Sequence, residues 1–175
     1  MIDIFSVLGH RLAGFGKTPE TVEVVRRAAV ENPWFLPQEI IRAVKAIRCE
    51  MLERQRLEAW AGAYPPVRTP KRVLVVMAGN IPLVGFFDLL CVLASGHACR
   101  VKPSSKDTVL IGYVVDLLRT IDPAIPLRMA EQGERLDAVI ATGSDNANRY
   151  FRMLFGGIPS LLRGSRQSVA VLSGR

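Results

Sequence analysis

The sequence predicts an α/β fold in which a helical N-terminal layer precedes a mostly parallel sheet. After residue 70, short apolar runs rich in β-branched residues alternate with helical stretches, which is the pattern of parallel βαβ units. The first third of the chain carries amphipathic helical patterns instead. A length of 175 residues with 49% hydrophobic and 22% charged content is sufficient for a folded core.

Helix signals in the first third define the N-terminal layer. Thr18-Pro19-Glu20 combines a capping hydroxyl with a proline at the first helical position, and Asn32-Pro33 ends that helix. A longer helix begins at Pro37-Gln38-Glu39 and closes between Trp60 and Pro66. Its apolar seam consists of Ile40, Val44, Ile47 and Met51. We therefore expect a helical layer over residues 1–66.

A proline-bounded segment, Pro65 to Pro70, separates this layer from an α/β domain expected over residues 71–175. The predicted strands of that domain are Val73–Met77, Ala98–Lys102, Ile125–Met129, Asp137–Ala141 and Ser168–Leu172. The predicted helices are Pro82–Ser95, Asp107–Thr120 and Asp145–Phe155.

The stretch from Val73 to Cys99 is apolar enough to suggest a membrane span. Asn80, Pro82 and Asp88 interrupt it, and a β-branched run followed by a Gly/Pro turn is typical of a buried βαβ unit. Parallel strands covered on both faces are this hydrophobic without contacting lipid. We therefore expect no membrane span.

Charge and cysteine usage narrow the functional classes. The net charge of +7 is spread along the chain, with basic residues among glutamates on helical segments, so we expect no nucleic-acid binding; the surplus also suits an anionic cofactor or coenzyme A substrate, although charge alone does not decide between functions. Cys49, Cys91 and Cys99 have no C-x-x-C spacing, so neither a disulfide framework nor a metal site is indicated. The N-terminus does not resemble a secretion signal, and we expect a cytoplasmic protein.

Three turns follow predicted strands and form a candidate nucleotide site. They are Ala78–Pro82, Lys102–Lys106 and Ala141–Asp145. Carboxyl ends of parallel strands host ligands, and helix N-termini attract phosphate. Each turn has a simpler interpretation as well: Asn80 as a turn asparagine, 102–106 as a solvated basic turn, and 141–145 as a well-capped helix start. No G-x-G-x-x-G or P-loop pattern is present, so the spacing alone supports only a generic nucleotide site.

Four blocks along nearly the whole chain resemble the acyl-CoA reductase family. This family is the branch of the aldehyde dehydrogenase superfamily that includes the fatty-acid reductase subunit of bacterial bioluminescence. The blocks are Asn32-Pro33-Trp34-Phe35, Ala78-Gly79-Asn80-Ile81-Pro82-Leu83-Val84-Gly85, Val101-Lys102-Pro103-Ser104 and Ala138-Val139-Ile140-Ala141-Thr142-Gly143-Ser144, in the family's order. The resemblance implies a Rossmann-like sheet of the aldehyde dehydrogenase type.

The resemblance also implies reduction of an acyl-CoA or other acyl-thioester to the aldehyde through an acyl-cysteine. Asn80 would be the catalytic oxyanion-hole amide. The cofactor-binding residues would be Ala78, Gly79, Lys102, Ser104, Ser105, Gly143 and Ser144. Lys102 would contact the adenosine ribose, and Gly143 with Ser144 would face the pyrophosphate. NAD-preferring relatives often have glutamate where this chain has Ser105, so a serine beside Lys106 favours NADP, with NAD as the alternative.

Departures from the family pattern indicate an incomplete catalytic apparatus. The family's nucleophilic cysteine would lie beyond Arg175, and the glutamate expected near Leu162 in hydrolytic relatives is absent. We therefore expect an N-terminal cofactor-binding portion, inactive alone, with the C-terminal catalytic domain absent from this chain. A homo-oligomer is left open, because the superfamily's oligomerising segments would come later. The alternative is a non-catalytic nucleotide-binding or scaffold module.

Overall fold

A computed structural model describes residues 1–164 and 169–171 and places a five-stranded parallel sheet at the centre of the α/β part. The strands are β1 (Arg72–Val76), β2 (Ala98–Lys102), β3 (Leu127–Met129), β4 (Ala138–Thr142) and β5 (Ser160–Arg163). They pair in the order β3-β2-β1-β4-β5. The predicted α/β fold with a parallel sheet is confirmed.

This strand order reverses the direction of winding at β1. The chain leaves β1 towards β2 and β3 on one side, then returns to place β4 and β5 on the other. At the register of Val76, β1 pairs with Lys102 of β2 and with Ala141 of β4. The carboxyl ends of these three strands therefore lie side by side, and the loops that leave them diverge. Ligands bind at such switch points in open α/β sheets.

Helices cover both faces of the sheet. Those of the N-terminal layer are α1 (Ile2–Arg11), α2 (Pro19–Glu31), α3 (Pro37–Met51) and α4 (Arg54–Gly62), with a short 3-10 turn at Leu12–Gly14. Those that connect strands are α5 (Phe86–Ala94), α6 (Thr108–Ile121) and α7 (Asp145–Phe155).

The predicted starts of α2 and α7 are confirmed by their caps. At α2, the Thr18 hydroxyl accepts the Thr21 N–H (3.3 Å) and the Thr21 hydroxyl accepts the Thr18 N–H (3.2 Å), with Pro19 at the first helical position. At α7, the Ser144 hydroxyl accepts the N–H of Ala147 (3.3 Å). These bonds satisfy backbone donors that have no partner within the helix.

The two faces of β1 belong to two hydrophobic clusters. Val73 and Val75 join the large cluster formed with the N-terminal helices, α5 and α6, while Leu74 and Val76 join a smaller one beneath α7. Because all four side chains are buried, β1 is an uninterrupted apolar run rather than an alternating one. Among the described residues, no helix has the length and hydrophobicity that crossing a membrane requires.

The bounds of β1, β4 and α6 differ from the sequence expectation by one residue at each end, and larger differences occur elsewhere. The long helix predicted from Pro37 is broken into α3 and α4, where buried Leu52 packs against Gly9 of α1; a Cβ on Gly9 would lie 3.1 Å from the Leu52 Cβ. Helix α5 begins at Phe86 rather than Pro82, because Leu83 has a φ of 57° and interrupts the helical path. The strand β3 begins at Leu127 rather than Ile125.

Strand β5 was not among the predicted strands. It is short and, among the described residues, lies at the edge of the sheet with β4 as its one partner strand, so its sequence carries little strand pattern. Both ends of the strand predicted over Ser168–Leu172 lie outside the described residues, and the residues between them are not in a strand.

Candidate active site at the carboxyl edge of the sheet

A cleft of about 940 Å³ opens where β1, β2, β4 and β5 end. This volume is within the range of small-molecule and cofactor sites. The lining comes from the turns after these strands, from the start of α5 and from the N-terminal layer. The lining residues are Trp34, Ala78, Gly79, Asn80, Val84, Phe87, Asp88, Ser104, Lys106, Thr142, Gly143, Ser144, Arg163 and Gly164.

Six of the eight residues singled out from the sequence meet in this cleft. They are Ala78, Gly79, Asn80, Ser104, Gly143 and Ser144. The other two, Lys102 and Ser105, are exposed at the end of β2 and in the turn after it, and they do not belong to the lining. Lys106, four residues further along the chain, lines the cleft instead of Lys102.

The turn after β1 lies in close contact with the turn after β2. A Cβ placed on Gly79 would lie 2.5 Å from the Ser104 hydroxyl oxygen and 2.7 Å from the Ser104 Cβ. Real Cβ atoms do not approach other atoms this closely, so only glycine allows the two turns to pack in this way. The glycine that the sequence pointed to as a phosphate-friendly turn residue is thus also a packing requirement.

The side chain of Asn80 is exposed in the lining of the cleft. It makes no hydrogen bond with any residue in the described part of the chain. The alternative interpretation of Asn80, a turn asparagine that bonds its own backbone, is therefore not what the structure has. Its amide N–H groups remain available to donate to a negatively charged oxygen in the cleft.

The turn after β4 offers the Ser144 hydroxyl to the cleft, whereas the backbone N–H of Gly143 is already bonded. The Gly143 N–H donates to the carbonyl of Arg163 (3.1 Å), as part of the pairing between β4 and β5. The Ser144 oxygen caps α7, and its own proton is left for an acceptor in the cleft. A phosphate here would therefore meet the Ser144 hydroxyl and the positive end of the α7 dipole.

An ion pair between Asp88 and Arg163 spans the cleft. One guanidinium nitrogen, Nη1, donates to Asp88 Oδ1 (2.7 Å) and Oδ2 (2.6 Å). The Asp88 side chain is only 9% exposed, so this pairing neutralises a carboxylate that would otherwise oppose an anionic ligand. The pair joins α5 to β5 across 75 residues of sequence, and no local pattern could have identified it.

Trp34, from the junction between α2 and α3, lines the cleft, and buried Asn32 from the same junction supports it from behind. The Asn32 amide donates to the carbonyls of Gly79 and Lys106 (3.2 Å each), and its oxygen accepts the N–H of Trp34 (3.1 Å). The Lys106 ammonium lies 5.3 Å from the centroid of the Trp34 ring. Asn32 and Trp34 both fall in the first block of the resemblance, and neither was assigned a site role from the sequence.

Asp107 supports the turn after β1 from outside the cleft. Its Oδ2 accepts the N–H of Leu83 (2.8 Å), the residue with a left-handed φ, while its Oδ1 is buried with no partner among the described residues. Burial raises the pKa of this carboxyl to about 7, against the opposing effect of the Leu83 N–H, and the nearby Glu31 raises it further.

The three cysteines do not line the cleft. Burial raises the pKa of Cys91 to about 11, with the Asp88 carboxylate adding to the rise, and burial raises the pKa of Cys99 to about 12. Both are therefore protonated thiols near neutral pH, which are poor nucleophiles. The described residues also contain no cluster of three side chains suited to a metal ion.

Comparison with known proteins finds a likeness among solved structures. No family model matches the chain, and no curated protein matches it. A solved structure of betaine aldehyde dehydrogenase from Staphylococcus aureus, a double mutant in complex with NAD+ and with a BME-modified cysteine, superposes with a TM-score of 0.64 at 12% identity. The match covers 92% of this chain and 37% of that one. The chain thus has the fold of part of an aldehyde dehydrogenase and spans well under half of its length.

Proposed function

We propose that this chain is the N-terminal, cofactor-binding portion of an NADPH-dependent acyl-CoA reductase. Such an enzyme reduces an acyl-thioester to the aldehyde through an acyl-cysteine. The helical layer over 1–66 and the α/β part over 71–175 act here as one cofactor-binding unit, and the nucleophilic cysteine belongs to a catalytic domain outside the described chain. The cytoplasm is the expected location.

The observation that carries the proposal is the joint presence of Asn80, Lys106 and Ser144 in one cleft at the switch point of the sheet. These three side chains offer an amide, a cation and a hydroxyl. The likeness of the fold to an aldehyde dehydrogenase that was solved with NAD+ supports the choice of a nicotinamide nucleotide. The four sequence blocks support the choice of the acyl-CoA reductase branch.

The residues of the cleft fit an anionic dinucleotide. Lys106 and the α7 N-terminus are positive, Ser104 and Ser144 carry hydroxyls, and the carboxylate of Asp88 is neutralised by Arg163. In this proposal Gly79 and Ala78 form the floor beneath the cofactor, while Lys106 attracts a 2′-phosphate. Exposed Lys102 and Ser105 flank the cleft at the end of β2, where they contact the ribose only if it extends past the rim.

Asn80 has the catalytic role in this proposal. When bound, NADPH supplies the hydride. The Asn80 amide donates a hydrogen bond to the thioester oxygen, whose negative charge grows as the carbonyl is attacked. A donor fixed on a turn next to a strand end stabilises that charge without reorganising, and loss of one such donor typically lowers kcat about 10²- to 10³-fold.

Nucleotide binding by the 175-residue chain tests the proposal directly. Isothermal titration calorimetry with NADPH and NADH should show tighter binding of NADPH. Lys106→Ala should weaken NADPH binding while changing NADH binding little, because only NADPH carries the 2′-phosphate. Arg68→Ala, which removes an exposed cation from the linker before β1, is the matched control and should leave both affinities unchanged. Failure of the wild-type chain to bind either nucleotide would refute the proposal.

A second candidate function is a non-catalytic nucleotide-binding or scaffold module. The observation in its favour is that neither Cys91 nor Cys99 is a thiolate near neutral pH, and that no cysteine of the described chain reaches the cleft. If the chain bound nucleotide but took part in no acyl transfer, even when combined with the catalytic domain of a reductase, that result would favour this candidate.

A further inference from the structure

Trp34 combines an exposed side chain with a fixed backbone. The residue is 76% exposed, which is high for a tryptophan, whose apolar surface is usually mostly buried. The segment around it is held in place. Asn32, two residues before it, is 5% exposed and donates to two carbonyls, and Phe35, the next residue, is 2% exposed within the large core cluster. The Trp34 N–H itself donates to Asn32. The indole is therefore presented to the cleft by an ordered segment.

The position of the indole ring relates it to the proposed cofactor. Trp34 lines the cleft together with Lys106, whose ammonium lies 5.3 Å from the ring centroid. In NADP the adenine and the 2′-phosphate are carried by the same ribose. The ammonium lies over the ring, so the cation and the aromatic surface are adjacent, as the 2′-phosphate and the adenine are in the ligand.

We propose that Trp34 is the stacking surface for the adenine of the nicotinamide nucleotide, with Lys106 beside it binding the 2′-phosphate. The inference rests on the proposed function, since it assumes that such a nucleotide occupies the cleft. Base stacking on an aromatic side chain requires only an exposed ring face, and it tolerates a turn that lacks the usual dinucleotide glycine pattern. Asn32 acts as a positioning residue for this surface, because it holds the Trp34 backbone against both neighbouring turns.

Tryptophan fluorescence tests the contact directly, because the chain contains only Trp34 and Trp60. Trp60 lies on α4, packs against Tyr64 and does not line the cleft. Trp60→Phe therefore leaves Trp34 as the single fluorescent reporter. NADP+ is the suitable probe, since the oxidised nicotinamide does not absorb tryptophan emission and quenching then requires contact. We expect NADP+ to quench the tryptophan fluorescence of the Trp60→Phe variant. In the matched variant Trp34→Phe the fluorescence comes from Trp60, and NADP+ should not quench it.

Calorimetry with truncated ligands identifies the group that stacks. Trp34→Ala should weaken NADP+ binding about tenfold, and Trp34→Phe should weaken it less, because a smaller ring retains part of the stacking. Nicotinamide mononucleotide, which has no adenine, should bind wild type and Trp34→Ala equally. Circular dichroism of the variants establishes that each remains folded.

Each contrary result has its own meaning. Equal NADP+ affinity in wild type and Trp34→Ala, without quenching, would overturn the stacking inference and leave the proposed function standing. Absence of any NADP+ or NADPH binding by the wild-type chain would overturn both. Quenching by coenzyme A but not by NADP+ would also overturn the inference, because the aromatic surface would then belong to the thioester substrate.

Discussion

At the scale of single residues, Gly79 shows how closely the two turns of the cleft approach each other. The nearest atoms to a Cβ at this position include the Ser104 Cβ at 2.7 Å, and a Cβ cannot rotate away as the end of a flexible side chain can. Gly112, in the middle of α6, is the opposite case, because no atom lies within 4 Å of the Cβ that alanine would add.

We expect Gly79→Ala to lower the free energy of unfolding by about 1–3 kcal/mol, the usual cost of an overpacked site. Gly112→Ala is expected to raise it by up to about 1 kcal/mol, because alanine is the better helix former. Urea unfolding monitored by circular dichroism measures both. If the two alanine variants had equal stability, the close contact between the turns would not exist in solution.

Asp107 is the residue whose charge state most affects the turn after β1. Its carboxyl group is 2% exposed, and one of its oxygens receives the Leu83 N–H while the other has no partner among the described residues. Because the folded-state pKa of Asp107 is about 7 and the ordinary pKa of an aspartate is 3.8, the folded protein binds this proton more tightly than the unfolded chain does.

This difference predicts that stability falls as pH rises through the interval from about 4 to about 7. Below that interval Asp107 is protonated in both states, and above it the loss is complete, at most about 4 kcal/mol. Asp107→Asn should remove this fall, as measured by urea unfolding across the same pH range. Asp137→Asn is the informative comparison, because the Arg72 N–H lowers the Asp137 pKa. The stability that the Asp137 carboxylate contributes is therefore lost as pH falls, the opposite direction to Asp107. If the dependence of stability on pH were the same in wild type and Asp107→Asn, that result would contradict the burial of a protonated Asp107 carboxyl.

At the scale of secondary structure, the two ends of α2 have different tasks. Its start is closed locally by the reciprocal bonds of Thr18 and Thr21. Its end reaches other elements, because Asn32 binds the turns after β1 and β2, and Glu31 accepts the Thr108 hydroxyl and the Val109 N–H (3.2 Å) at the start of α6. The carboxylate of Glu31 also suits the positive end of the α6 dipole.

Variants at the two ends of α2 separate helix stability from the geometry of the cleft. Thr18→Ala should cost about 1 kcal/mol of stability through the lost cap and leave nucleotide affinity unchanged. Asn32→Ala leaves the buried carbonyl of Gly79 and the part-buried carbonyl of Lys106 without this donor, so we expect a cost of about 1–3 kcal/mol together with weaker nucleotide binding. Thermal unfolding and calorimetry on both variants provide the comparison. Equal effects on nucleotide affinity would argue against a positioning role for Asn32.

The strands show where sequence patterns carry information and where they do not. β1 and the start of α7 were predicted to within a residue or two, because buried β-branched runs and capping hydroxyls are local signals. β5 is an edge strand whose existence depends on pairing with β4, and half of it is exposed. The break between α3 and α4 likewise depends on α1, since Leu52 packs against Gly9.

At the scale of the whole molecule, the cleft is assembled from segments that are far apart in the chain. Trp34 from the N-terminal layer, Lys106 after β2 and Arg163 at the end of β5 line the same space. The parallel sheet brings them together, because every strand ends at the same edge. The net charge of +7 adds a general attraction for anionic ligands.

Because no cysteine of the described chain lies in the cleft, we expect the purified 175-residue chain to form no aldehyde from an acyl-CoA and NADPH. Aldehyde release and NADPH consumption are the measurements, with decanoyl-CoA and acetyl-CoA as substrates of different chain length. Nucleotide binding measured on the same preparation shows that the protein is folded. Turnover by this chain would require a nucleophile that the described residues do not provide.

The sequence by itself determined the fold class, because apolar runs, caps and turn residues act locally, and its strand-end turns together with the family resemblance singled out eight residues, of which six line one cleft at the carboxyl edge of the sheet. Tertiary structure alone decided that Lys106 rather than Lys102 lines the cleft, that Asp88 is neutralised by Arg163, and that Trp34 joins the lining while Asn32 holds the turns behind it. The Asp88–Arg163 and Asn32–Lys106 contacts join residues that are 75 and 74 positions apart. They exist only once the sheet has brought its strand ends together.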